Sequence, residues 1–120
     1  MVSFKVDNLK NMNTELKAFV EFLRSQGVCD DDIFAGKLVS CELITNVIMH
    51  GGEAASFKGT VSGGRIIITV SANSLKEIEL KRSAPDVFAE SGRGLYIINS
   101  FCNQLQQIGS EIIAEIILGS

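Results

Sequence analysis

The stretch CELITNVIMHGG, residues 41–52, limits what this chain can become more than any other part of it. Leu38, Leu43, Ile44, Val47 and Ile48 cover most sides of a helix predicted over about 33–50, and a helix that is apolar nearly all round must be packed between other elements. Three polar side chains, Glu42, Asn46 and His50, interrupt it at a fixed spacing. Four residues advance a helix by about 40° beyond one full turn, so the three share a single ridge. A carboxylate and an amide on a mostly buried helix carry a desolvation cost unless something satisfies them. Either a polar cavity or ligand lies against the ridge, or the ridge faces water; spacing alone leaves both open.

The neighbouring segments supply the rest of a layered domain. Ser3 to Val6 alternates and reads as a short edge strand. In NTELKAFVEFLRSQG, Leu16, Phe19, Val20 and Leu23 recur at helical spacing, with Asn13 or Thr14 as the expected N-cap and Gly27 just past the end. Asp30, Asp31 and Asp32 place negative charge and a capping side chain where the second helix begins, and Gly51-Gly52 ends it. Phe57 to Val61, the Gly63-Gly64 turn and Arg65 to Ala72 predict a β-hairpin, because two glycines supply the positive φ angles a tight turn needs. KEIELK, residues 76–81, alternates as a further strand. After Pro85 comes SGRGLYIINSFCNQL, whose Leu95, Ile98, Phe101, Cys102 and Leu105 predict a third helix, and EIIAEIIL, residues 111–118, closes the series as a β-prone strand. The order does not alternate strand and helix regularly. It predicts a single α+β domain over 1–120: a two-layer sandwich of about three helices on one mixed, mainly antiparallel sheet.

Composition narrows the function. With 46% apolar and 21% charged residues and one proline, the 120-residue chain is expected to fold around one core. A net charge of -3 argues against nucleic acid as a partner, since such domains carry a basic face. Cys29, Cys41 and Cys102 form no CxxC pair and share the chain with one histidine, which indicates neither a zinc site nor a disulfide framework. Cys41 and Cys102 read as small core residues within apolar helices, Cys29 as part of a turn. The start, MVSFKVDNLK, lacks the apolar core of a signal peptide, and no apolar run approaches the roughly 18 residues that cross a bilayer. A soluble, cytoplasmic protein is the expectation.

The combination of ELITNVIMHG (42–51) with SGRGLYIINSF (91–101) resembles the N box and the glycine-rich G2 box of the GHKL ATPase superfamily, in particular its anti-sigma-factor serine kinase branch. The likeness runs from about Leu38 to Leu118 and implies the Bergerat-type ATPase fold. It implies that Glu42 is the general base or water-orienting carboxylate and that Asn46 is the protein ligand of the Mg²⁺ carried by ATP, with His50 and Gly51 matching the end of the box. One amide oxygen plus substrate phosphates suits Mg²⁺, which prefers oxygen ligands and retains waters. Gly92 and Gly94 would let backbone N–H groups approach phosphate at the start of the third helix, and Arg93 would add its charge there.

The chain departs from the family at the G1 box. There the family has an Asp that hydrogen-bonds the adenine amino group, followed by spaced glycines; this chain has ITVSANSLKEI, residues 68–78, with Ala72 at the position of the Asp and Ser74 and Lys76 at those of glycines. Alternation along the strand places Ala72 on the side of Ile66, Ile68 and Val70, and Asn73 on the other. Losing a charge-assisted hydrogen bond of about 1.5–3 kcal/mol implies ATP binding weakened by roughly one to three orders of magnitude. Two readings follow from the resemblance. One is an anti-sigma-factor-like regulatory protein that acts by binding a sigma factor or a STAS-type antagonist, with ATP binding lost or weakened. The other is an active ATP- and Mg²⁺-dependent serine kinase that phosphorylates such an antagonist. The resemblance also implies a homodimer. A self-phosphorylating histidine kinase is excluded for this chain alone, because its one His lies inside the N box.

Overall fold

The computed structural model describes residues 1–51, 54–72 and 102–119. The chain enters as strand β1 (Val2–Val6) and turns into helix α1 (Leu9–Ser25). The helix starts more than a turn before Asn13: Asn8, in extended conformation, accepts hydrogen bonds at Oδ1 from the N–H groups of Lys10 (2.8 Å) and Asn11 (3.1 Å). An earlier asparagine thus satisfies the first-turn donors, and the extra turn brings Met12 into one buried stripe with Leu16, Phe19 and Leu23. At the far end Gly27 takes φ +81 as expected. The Gly27 and Val28 N–H groups bond back to the Arg24 and Leu23 carbonyls, each at 3.1 Å, and Val28 packs into the core beside Leu23, the arrangement of a Schellman stop.

Helix α2 (Asp30–Gly51) begins three residues before the expected start, so all three aspartates lie inside its first turn, where they favour the positive end of the helix dipole. The Ile33 N–H bonds to the Cys29 carbonyl at 2.9 Å, which makes Cys29 the capping position. Strands β2 (Ala55–Ser62) and β3 (Arg65–Ser71) form the expected hairpin, with Gly63 at φ +60 and Gly64 at φ +76.

The chain's last part differs from the sequence expectation. Residues 104 and 105, assigned above to the end of a third helix, lie on strand β4 (Gln104–Ile108), which turns through Gly109 at φ +60 into β5 (Glu111–Ile117). Cys102 precedes that strand rather than sitting in a helix. A β-prone neighbour across a two-residue turn offers this segment a full ladder of backbone bonds, and the Asn103 side chain extends it by accepting the Ile117 N–H at 2.7 Å. The remainder of the third helix and the KEIELK strand lie outside the described residues.

The sheet order is β1-β2-β3-β5-β4, and every described pair is antiparallel, so the parallel component of a mixed sheet is not among the described residues. Among the described residues both helices pack on one face, giving an α+β arrangement of two helices on a five-stranded antiparallel sheet. Phe57 on β2 stacks on Phe4 at 4.5 Å and meets the edge of Phe19 from α1 at 5.0 Å. Two glycines permit this approach. A Cβ at Gly59 would lie 2.4 Å from Phe19 Cε1, and one at Gly36 of α2 would lie 3.3 Å from Leu23 and 3.4 Å from Ile66. Glycine is needed at 59 because an aromatic ring fills the space of the missing side chain. No described helix is long and apolar enough to cross a membrane.

Ser40 on α2 is fully buried, and its hydroxyl has no hydrogen-bond partner among the described residues. A buried, unsatisfied hydroxyl carries a penalty of about 1–3 kcal/mol, and alanine is the better helix former. Ser40→Ala is therefore expected to raise stability by about 1 kcal/mol, read as a higher urea midpoint; a lower midpoint would show that the hydroxyl is satisfied.

Candidate functional site

The side chains of α2 divide into flanks. Val39, Leu43, Ile44 and Val47 are fully buried against the sheet and α1. Thr45 donates from Oγ1 to Met12 Sδ at 3.8 Å, which marks the flank that meets α1. Consecutive helical residues are turned about 100° from each other, so Asn46 points well away from that flank, and Glu42, one turn before it, falls on the same ridge. Both are half-buried. Among the described residues, neither the Glu42 carboxylate nor the Asn46 carboxamide takes part in a hydrogen bond or ion pair. His50 lies on the same helix backbone, four residues beyond Asn46. Gly92, Arg93 and Gly94 lie outside the described residues, so the structure brings together Glu42 and Asn46 and leaves the expected phosphate loop without a described position.

Ala72 follows directly on β3 and is 6% exposed, on the inner face with Ile66, Ile68 and Val70, as strand alternation requires. Its methyl group adds to the core and offers no hydrogen-bond acceptor. Among the described residues no group of three or more His, Cys, Asp and Glu side chains gathers to hold a metal ion. Among the described residues the ridge carries two oxygen-bearing side chains, the Asn46 amide and the Glu42 carboxylate.

Electrostatics at the cysteines separates the buried from the reactive. Burial pushes the Cys41 thiol up, and the adjoining Glu42 carboxylate adds to the effect. Burial also pushes up Cys102, whose Sγ donates to the Gln104 carbonyl at 2.8 Å. Cys29 is exposed and donates to Asp32 Oδ2 at 3.3 Å. A raised pKa leaves less thiolate, the reactive form. Limited alkylation at pH 8 followed by peptide mass spectrometry should therefore label Cys29 first, with Cys41 and Cys102 lagging by about tenfold or more. Equal labelling would contradict the burial of the latter two.

Sequence reasoning did not single out Asp32 as a tether. Besides the Cys29 thiol, its Oδ2 accepts the Gly119 N–H at 3.0 Å, joining the end of the sheet to the start of α2. Nothing in the local pattern signals a contact across so much of the chain. Compared with known proteins, the chain matches no family model and no curated protein.

Proposed function

We propose that this chain is a regulatory binding module related to the anti-sigma-factor serine kinases of the GHKL superfamily, acting by docking a protein partner in a partner-switching pathway. The partner is a sigma factor or a STAS-type antagonist, the setting is cytoplasmic, and the affinity for ATP is lost or much weakened. One observation carries the reading: the position that would grip adenine is a buried methyl group at Ala72. Two helices on one face of an antiparallel sheet are compatible with the Bergerat-type fold. The ridge of Glu42 and Asn46 keeps oxygen donors where a metal-bound triphosphate would need them, yet an adenine amine beside Ala72 would lose its water without gaining an acceptor.

That same ridge favours a second reading, an active serine kinase. Glu42 would then take the proton of the attacking serine hydroxyl, and Asn46 would hold Mg²⁺, which when bound neutralises phosphate charge. Phosphoryl transfer depends mostly on positioning and charge, so a retained ridge is the part such an enzyme could least do without.

A titration with labelled ATP and Mg²⁺ separates the two. The binding-module reading expects at most millimolar affinity. Micromolar binding abolished by Asn46→Ala would overturn it in favour of the kinase.

A further inference from the structure

The run Ile66 to Ala72 along β3, IIITVSA, holds seven residues with no charge, no proline and no glycine, most of them β-branched. Segments of about this length and character stack into cross-β fibrils once their backbone edge is free. The other described strands are less suited to it. β1 contains Lys5, β2 contains Lys58 and Gly59, β5 contains Glu111 and Glu115, and three of the five residues of β4 are glutamine. The native sheet occupies both edges of β3, with β2 on one side and β5 on the other. The β2 edge is secured by the tight Gly63-Gly64 turn. The β5 edge depends on the hairpin β4–β5 staying in place. Three successive N–H groups hold the end of that hairpin: Ile117 donates to Asn103 Oδ1 at 2.7 Å, Leu118 to the Gly64 carbonyl at 2.9 Å and Gly119 to Asp32 Oδ2 at 3.0 Å. The first bond closes the hairpin on itself, and the third ties it to the start of α2.

We propose that the hairpin β4–β5 is a protective cover over β3. When it lifts away while the rest of the fold persists, the bared edge of residues 66–72 recruits the same segment of other copies into a cross-β stack, and Asp32 sets how often the cover lifts. The inference stands on sequence, register and hydrogen bonds, and does not depend on the functional reading above. Opening one supersecondary unit takes less free energy than unfolding the whole domain, so the opened chain is populated under conditions where the protein is still folded. An unpaired strand edge offers its row of N–H and C=O groups to any matching strand, and the best match for an uncharged apolar segment is another copy of itself. Growth along such an edge is open-ended.

The register also names a residue that should block the stack. Thr69 lies directly across from Lys58 on the face turned away from the helices. A carboxylate at 69 therefore meets a cation in the folded sheet, where opposite charges on neighbouring strands are well tolerated. In a parallel, in-register stack the same carboxylates would lie about 4.8 Å apart, like upon like. Ile67, across from Glu115, offers the equivalent position for a lysine.

Thioflavin T fluorescence of the full chain, agitated in urea below the unfolding transition, tests this, with the protease-resistant core of the product read by mass spectrometry. The parent should form fibrils after a lag, with residues 66–72 in the core. Asp32→Ala should shorten the lag by about threefold or more, because it raises the population of opened chain. Asp31→Ala removes the same charge from the same helical turn without touching Gly119, and should leave the lag within about twofold of the parent. Thr69→Glu should lengthen the lag by about tenfold or abolish fibrils, alone or combined with Asp32→Ala. A merely destabilised fold would shorten the lag, so a longer one reports on the stack itself. Where circular dichroism shows that a variant has not folded, Asp32→Asn replaces Asp32→Ala and Ile67→Lys replaces Thr69→Glu, with the same directions expected. A parent that forms no fibrils would overturn the proposal, as would a core lacking residues 66–72. So would equal lags for the Asp32 and Asp31 variants, or a charge on β3 that leaves the parent's rate unchanged.

Discussion

Truncating Phe19 to alanine is expected to remove about 3–5 kcal/mol of stability, a large share of the roughly 5–15 kcal/mol that a domain of this kind possesses. The ring is fully buried, packs edge-on to Phe57 at 5.0 Å and fills the space beside Gly59. The complementary substitution, Gly59→Ala, should cost about 1–3 kcal/mol or more, because its Cβ would lie 2.4 Å from Phe19 Cε1 and 3.1 Å from Phe57 Cε1. Neither ring is the free end of a flexible side chain, so the strain has no cheap escape. The two costs should not add. With Phe19 already reduced to alanine, a methyl at 59 has room, and the coupling in urea unfolding should reach about 1 kcal/mol or more. Additive losses would mean that the ring and the glycine do not share this space.

Ala72→Asp tests the inner end of β3. An unpaired carboxylate at a position only 6% exposed should cost roughly 3 kcal/mol or more at neutral pH. Burial disfavours the charged form and raises its pKa in the folded state above the unfolded value of about 3.9. Below that unfolded value the acid is neutral in both states and the penalty is least; it grows as pH rises through the folded pKa. The gap in melting temperature between variant and parent should therefore widen from pH 4 to pH 7. If the proposed function is right, ATP with Mg²⁺ should raise the melting temperature of the variant more than that of the parent, because the restored carboxylate would hold the adenine amine. Equal shifts would sever position 72 from nucleotide recognition.

The residues that were readable in advance are those whose signals are local. Gly63-Gly64 and Gly27 announce positive φ angles within a few residues of where the structure uses them. The four-residue spacing of Glu42 and Asn46 makes a shared ridge from helix geometry alone, and the alternation of Ile66, Ile68 and Val70 places Ala72 on the inner face. Residues 102–105 have an apolar spacing that suits a helix, while the strand partner that wins them lies beyond Gly109, out of reach of any local pattern. Asn13 and Thr14 resemble a cap for α1 as well as Asn8 does; what separates them is the burial of Met12, which favours the earlier start.

The turns, the helix stop at Gly27, the apolar character of α2 and the polar ridge along it are legible in the residues alone, since backbone torsion and residue periodicity act over a few positions. Long-range packing settles which segment pairs with β5, that Phe19 takes the side-chain space of Gly59, and that Lys58 and Glu111 end on opposite sides of one face. Those outcomes depend on strand register and on packing between elements distant along the chain, where several local preferences compete and burial chooses among them.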